Sequence, residues 1–230
     1  MNQKFSLSVY VYLPFFDYMP RLTKKNEAAQ VTISGVALGE FSNVKNAKEI
    51  FAAMNLQLGN EMIVYDYESN RPKSIIDRPS SVSYTPAIQS LNFFNEFSNP
   101  LNEVYSWNKS KPNSENAFIA GDLAIYFGLS SELRSIQQKN PNLNFDIAEL
   151  PQVKELNDKI TYADVYALAI PRNSPNAQTA IAVAANLANG ANTYSLVAPS
   201  GFAPMRRDLI SANRNIGNYN PVIYDSALYS

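Results

Sequence analysis

The chain has 230 residues, 46% of them hydrophobic and 17% charged, with a formal net charge of -1 and a pI near 5.6. That is enough apolar material for one large or two small domains, and it lacks the basic footprint that holds nucleic acid. The chain contains no Cys and no His, which removes thiolate zinc sites, thiol catalysis, Ser-His-Asp triads and imidazole acid–base work from its chemistry.

With 8 Gly in the whole chain, neither a GxGxxG nor a Walker phosphate loop is spelled. Abundant Asn and an aromatic content of 12% suit polar, ring-shaped ligands. The longest apolar stretch, Thr179–Ala188, falls far short of the roughly 20 residues that span a bilayer. Met1–Phe16 is interrupted by Ser6, Ser8 and Pro14 and is followed by no small-residue cleavage site.

In chain order, residues 1–26 are the hardest to place, because Pro14 and Pro20 fragment a helical pattern over Phe15–Leu22. Val31, Ile33 and Val36 begin a strand that ends near Gly39. Asn43 is a candidate cap for a helix whose Val44, Ala47, Phe51, Met54 and Leu58 recur at helical spacing, with Gly59 in the stop position. That helix faces a core, and Phe41-Ser42-Asn43 at its start is the part open to a ligand. Met62–Tyr67 suggests a short strand, and Asp66 to Pro86 a long surface loop. Thr85-Pro86 opens a helix with Ala87, Leu91 and Phe94 on its inner face, and Asn99-Pro100 stops it.

Ser114 to Pro151 reads as the organising unit of the chain. A short helix from Ser114 stops at Gly121. Leu123–Phe127 is an apolar run expected to be buried on both faces of a mostly parallel sheet. Ser130 opens a second helix with Leu133 and Ile136 inward, and Asn144–Leu150 is expected as the next strand. The loop Phe127-Gly128-Leu129-Ser130 then lies at the carboxyl edge of the sheet, where ligands sit in open α/β folds. Beyond a polar linker, Gln152–Lys159, another doubly apolar strand is expected at Ala163–Ile170. An Ala-rich helix follows, capped by Ser174-Pro175 and closed by Asn189-Gly190. Turn signals occur at Pro199-Ser200-Gly201, Pro204 and Asn220-Pro221.

Asp66 and Glu68 share one face of a strand but nothing there suggests a catalytic cleft. Trp107, the single Trp, sits in a loop and divides evenly between a core residue and a platform for the C–H face of a sugar. Tyr126, Tyr162 and Tyr166 lie at strand ends or starts, where packing is the commoner role.

Phe118-Ile119-Ala120-Gly121-Asp122-Leu123-Ala124-Ile125 resembles a segment of the extracellular solute-binding proteins of sugar ABC importers, in which Phe, two residues and Gly precede Lys, any residue, Ala and Met. The likeness continues through Phe127–Glu132, Asn140–Asp146 and Leu150-Pro151. Gly35–Gly39 with Ser42-Asn43-Val44, and Ser200–Arg206, are similar to two further segments in the family's order. The chain departs at Asp122, where Lys is usual, and at Ile125, where Met is usual.

The resemblance implies an α/β fold of the periplasmic-binding-protein-like type II class, with one nearly complete lobe and part of the second. Residues 1–155 would form the central lobe, 156–205 the returning segment of the other, and 206–230 the return toward the first. It implies a substrate-binding component of an ABC importer, extracellular or periplasmic at the cell envelope. Such a protein catches a sugar or oligosaccharide in an interlobe cleft by hinge closure and delivers it to permease membrane subunits, without catalysis, cofactor, metal or nucleic acid. Residues at strand ends, helix starts and interlobe segments supply the expected ligand-binding set of Ser42, Asn43, Trp107, Gly128, Leu129, Ser130, Tyr162 and Arg206. The alternatives are a carbohydrate-active hydrolase and a non-catalytic surface interaction module.

The ends depart from the family, since no secretion signal, lipidated Cys or opening half-lobe is recognised and Met1–Tyr12 matches nothing. The chain therefore reads as an internal fragment, any membrane anchor lying outside it, with self-association expected of the isolated chain. Residues from about Ile160 onward are expected to pack less completely than residues 30–151.

Overall fold

The computed structural model describes residues 13–79, 85–153, 159–197, 199, 202–203, 206–213 and 221–228. Met1–Tyr12, most of the linker after Gln152, most of Ser200–Arg206 and the Asn220 turn signal lie outside the described residues. The fold is mixed α/β, with small sheets and helices. The chain divides into two compact units, one comprising the residues up to Gly128 with Ile136–Phe145 and Leu150–Tyr162, the other Leu129–Ser135, Asp146–Glu149 and Ala163–Ser230.

In the first unit, helix α1 (Leu13–Leu22) leads into strand β1 (Lys24–Lys25), which pairs antiparallel with β2 (Val31–Val36). Helix α1 forms despite its prolines. Pro14 sits in the first turn, where no N–H is needed, and Pro20 forfeits one bond near the end, where Thr23 N–H closes on Met19 O at 2.9 Å. Strand β2 then pairs in parallel with β5 (Leu123–Ile125), Ser34 opposite Leu123 and Val36 opposite Ile125. The sheet order is β1-β2-β5. Since β5 ends the sheet, only its Leu123 is buried and Ala124 is exposed; the expectation of burial on both faces is corrected.

Between β2 and β5 lie helix α2 (Ala47–Gln57), a separate hairpin of β3 (Ile63–Asp66) and β4 (Arg71–Ser74), helix α3 (Pro86–Glu96) and helix α4 (Ser114–Ala120). Helix α2 starts at Asn46 rather than Asn43 and buries Ala47, Ile50 and Met54, with Gly59 just beyond its end. Helix α3 begins after Thr85 as expected, but its buried face is Pro86, Ser90, Phe93 and Phe94, and Leu91 is exposed. Phe93 and Phe97, one turn apart on this buried face, meet edge to face at 5.3 Å. Helix α4 is capped by Asn113, whose side chain accepts from Glu115 N–H, and Gly121 closes it at φ 85°.

Glu115 is buried between two cations, Lys45 Nζ at 2.9 Å and Lys139 Nζ at 3.0 Å. Lys139 ends helix α5 (Leu133–Lys139), which follows a 3-10 turn at Ser130–Glu132. The expected strand at Asn144–Leu150 does not form, and the segment is irregular. The expected strand at Ala163–Ile170 is likewise absent, and Val165, Tyr166 and Leu168 are exposed. A strand exists only through a partner backbone, and among the described residues every strand precedes Tyr126.

The second unit holds helices α6 (Ala177–Leu187), α7 (Gly190–Val197), α8 (Arg207–Asn213) and α9 (Pro221–Ala227). Helix α6 has no buried residue, while Ile210, Ile223 and Tyr224 are buried. Residues beyond Ile160 pack less completely than those of the first unit.

Two predictions follow from these contrasts. Limited chymotrypsin digestion should cut first after Tyr166 or Leu168, which are exposed and lie outside any helix or strand, and mass spectrometry of the first fragments reads this. The second concerns Glu115. The hydrogen bond from Lys45 holds its carboxyl below the ordinary value, with Lys139 adding to this and burial opposing it. A carboxyl lowered by folding contributes stability above its unfolded-state value and loses it as pH falls through the folded value. Glu115→Gln should therefore cost about 1–2 kcal/mol in urea unfolding at neutral pH, and the difference from the parent should shrink as pH falls below the ordinary glutamate range.

Candidate functional site

Parallel strands β2 and β5 end side by side, so the loops that leave them share one edge of the sheet. After β2 the chain runs through buried Ala37 and Leu38 to Gly39, whose φ is 92° and whose missing side chain leaves room for Ser98. A Cβ at residue 39 would lie 2.5 Å from Ser98, so Gly both permits the turn and lets the end of α3 approach. After β5 the chain continues through half-buried Tyr126 and Phe127 to exposed Gly128. The two loops are tied by Asn46, whose Nδ2 donates to Phe127 O at 3.0 Å and lies 3.2 Å from the Tyr126 hydroxyl.

This edge carries one prominent aromatic surface. Phe41 is 54% exposed, yet its ring is fixed from behind by Phe94 at 5.3 Å and Phe51 at 6.4 Å. Ser42 beside it is exposed. Below the edge, Leu38, Ile50, Met54, Phe93, Phe127 and Pro151 line a small apolar pocket of about 30 Å³. Gln57 forms its polar wall and donates through Nε2 to Pro151 O at 3.0 Å and Ile160 O at 3.1 Å.

The sequence-derived site residues separate into groups. Asn43 and Trp107 are brought together, but as an internal fastening. Trp107 is 1% exposed and donates through Nε1 to Asn43 Oδ1 at 3.0 Å. Asn43 Nδ2 donates to Asn108 O at 2.9 Å and Lys111 O at 3.0 Å. With its ring enclosed, Trp107 presents no face to a sugar, and the Asn43 amide is occupied by the loop it holds. Ser42 and Gly128 lie exposed at the β2–β5 edge. Tyr162 is half-buried in the same unit.

Leu129, Ser130 and Arg206 belong to the second unit. Leu129 N–H donates to the Glu132 carboxylate at 3.1 Å, bracing the 3-10 turn that Ser130 opens. Arg206 is held by Asp208 through bonds of 3.0 and 2.6 Å, which raises the guanidinium's pKa and lowers that of the carboxyl. The fastenings by Asn46 and Gln57 escaped sequence reading, since each polar side chain reaches a backbone far away in the chain.

Among the described carboxyls, that of Glu96 is pushed up by burial at the end of α3. No cluster of three or more His, Cys, Asp or Glu suited to a metal ion occurs among the described residues, and no described helix is long and apolar enough to cross a membrane. Comparison with known protein families, with curated proteins and with solved structures finds no match.

The fastening generates a prediction. Asn43→Ala takes their side-chain partner from the indole N–H and Lys111 O, and leaves Asn108 O with only the Lys111 N–H, at a cost of about 2–4 kcal/mol. Trp107 emission should shift to the red and become more accessible to acrylamide. An unchanged spectrum and midpoint would show that the loop does not depend on this side chain.

Proposed function

We propose that this chain is the solute-binding component of a carbohydrate importer, with an α/β fold of the periplasmic-binding-protein type II class. It binds a sugar or oligosaccharide without chemical change and presents it to permease subunits at the outer face of a membrane. The observation that carries this reading is the parallel pair β2–β5, whose carboxyl ends open together beside exposed Phe41 and Ser42. In open α/β sheets the crevice beyond adjacent carboxyl ends is the usual ligand position. A pyranose has an apolar C–H face that packs on an aromatic ring and a hydroxyl rim that takes hydrogen bonds. Phe41 offers the ring, held firmly enough that little order is lost on binding. The Ser42 hydroxyl and the backbone around Gly128 offer the polar partners. The three family-like segments support the same reading, two of them forming the β2 loop and the α4–β5 turn.

Isothermal titration against a panel of mono- and oligosaccharides, with a product assay on the same samples, tests it. Saturable binding without turnover is expected. Phe41→Ala should weaken binding by about 2–10-fold, the worth of one aromatic contact. Turnover of any saccharide, or no binding across the panel, overturns the proposal.

A further inference from the structure

The β3–β4 hairpin has one guarded edge and one open edge. Its register pairs Ile63 with Ser74, Val64 with Lys73, Tyr65 with Pro72 and Asp66 with Arg71. Just before β3, Ile75 N–H donates to Met62 O at 2.9 Å, which makes Met62 and Ile75 a hydrogen-bonded pair. Antiparallel pairs alternate, so Val64–Lys73 and Asp66–Arg71 are hydrogen-bonded and Ile63–Ser74 and Tyr65–Pro72 are not. Pro72, which has no N–H, fits that assignment. The N–H and C=O groups of Ile63 and Tyr65 therefore point away from β4, along the outer edge of β3.

On the β4 side, Pro72 removes a donor from the edge and is flanked by Arg71 and Lys73, the devices that keep an edge from pairing. Strand β3, Ile-Val-Tyr-Asp, has neither proline nor lysine. Ile63, Tyr65 and Tyr67 form an exposed apolar stripe on one face, 68%, 48% and 87% accessible. The stripe is rigid. Tyr65 and Tyr67 meet edge to face at 5.1 Å, and the Tyr65 hydroxyl bonds Asn70 Oδ1 at 2.6 Å. Asp66 braces the turn by accepting from Glu68 N–H at 3.0 Å and from the Ser69 hydroxyl at 2.8 Å. A two-stranded hairpin alone is marginal in water and gains from added strands.

We propose that the open edge of β3 pairs with β3 of a second copy of this chain, antiparallel about a two-fold axis at Val64, to give a four-stranded sheet across a homodimer. In that register Ile63 of each copy exchanges both backbone hydrogen bonds with Tyr65 of the other, and their side chains pack on the same face. Val64 meets Val64. The register is free of repulsion, because Glu61 falls opposite Tyr67 and Asp66 opposite Met62, so no two like charges face each other.

Because the chain has no cysteine, single-cysteine variants report the geometry cleanly. Opposed residues of a non-hydrogen-bonded pair have Cα atoms about 4.5 Å apart, within disulfide range. Val64→Cys should therefore cross-link rapidly to a covalent dimer under mild oxidation, whereas Ser74→Cys, on the guarded strand, should stay monomeric on gels. Sedimentation over an about 100-fold range of concentration should show a reversible monomer–dimer equilibrium, and Tyr65→Lys or Ile63→Lys should raise its dissociation constant at least about tenfold. Circular dichroism of each variant checks that the fold persists. A chain that is monomeric throughout overturns the proposal. So does a dimer that both lysine variants leave intact, or one in which Ser74→Cys cross-links as fast as Val64→Cys.

Discussion

Val36 closes strand β2 beyond the reach of β1, and its buried N–H has to find an acceptor inside the protein. The acceptor is Ser106 Oγ at 3.0 Å, itself fully buried and 3.3 Å from the Thr23 hydroxyl. Thr23 Oγ1 in turn accepts from Gly35 N–H at 3.2 Å. The backbone of Ser106 and Trp107 donates to Phe97 O at 2.9 and 3.1 Å, and the Trp107 indole reaches Asn43. One irregular dipeptide thus joins the end of α1, the last residues of β2, the loop after β2 and the end of α3. The placing of the β2–β5 edge, and with it Phe41 and Ser42, rests on that junction. Gly35 belongs to it sterically, since a Cβ there would come within 2.8 Å of Thr23 Oγ1.

What could be read from the sequence was what local chemistry decides. Helices α2, α3 and α4 and the cap at Gly121 follow from period and punctuation within a few residues. Strand β2 was visible because its branched residues end at a glycine-bearing turn. The failures were of another kind. Leu123–Phe127 and Ala163–Ile170 are both almost wholly apolar and Asn144–Leu150 partly so, yet only the first yields a strand, because only it lies beside β2. Apolar composition states a willingness to pair and says nothing about whether a partner exists. Strand β3 was visible at Met62–Tyr67, but its partner β4 was hidden by Pro72, which marks a loop unless its missing N–H happens to face outward. Helix α3 turns Pro86, Ser90, Phe93 and Phe94 inward, one position from the face marked by Ala87 and Leu91, and only Phe94 is common to both.

The candidate site was legible in place but less so in role. Position along the chain singled out the loops after β2 and β5, and the structure brings them together at one edge. It did not tell a ring that faces water from one that faces the core. Trp107 looked like a platform because it sits in a loop, but that loop is drawn inward by the needs of Val36 and Asn43. Phe41, on a loop that turns outward at Gly39, has the exposed ring. The backbone around a residue, more than its own type, decides which way an aromatic faces.

The fastening at Asn43 also requires an amide and not merely a side chain of that shape. Its side chain works as an amide, with one end accepting from an indole and the other donating to two carbonyl oxygens. Hydrolysis of that amide to a carboxylate exchanges a single group without changing the side chain's size. The indole contact survives it, while both carbonyl contacts turn from attraction to repulsion. A carboxylate at this position, as in Asn43→Asp, is therefore equivalent to cutting the loop's tether, and it loosens the edge beside Phe41 while the sheet beneath it stays intact.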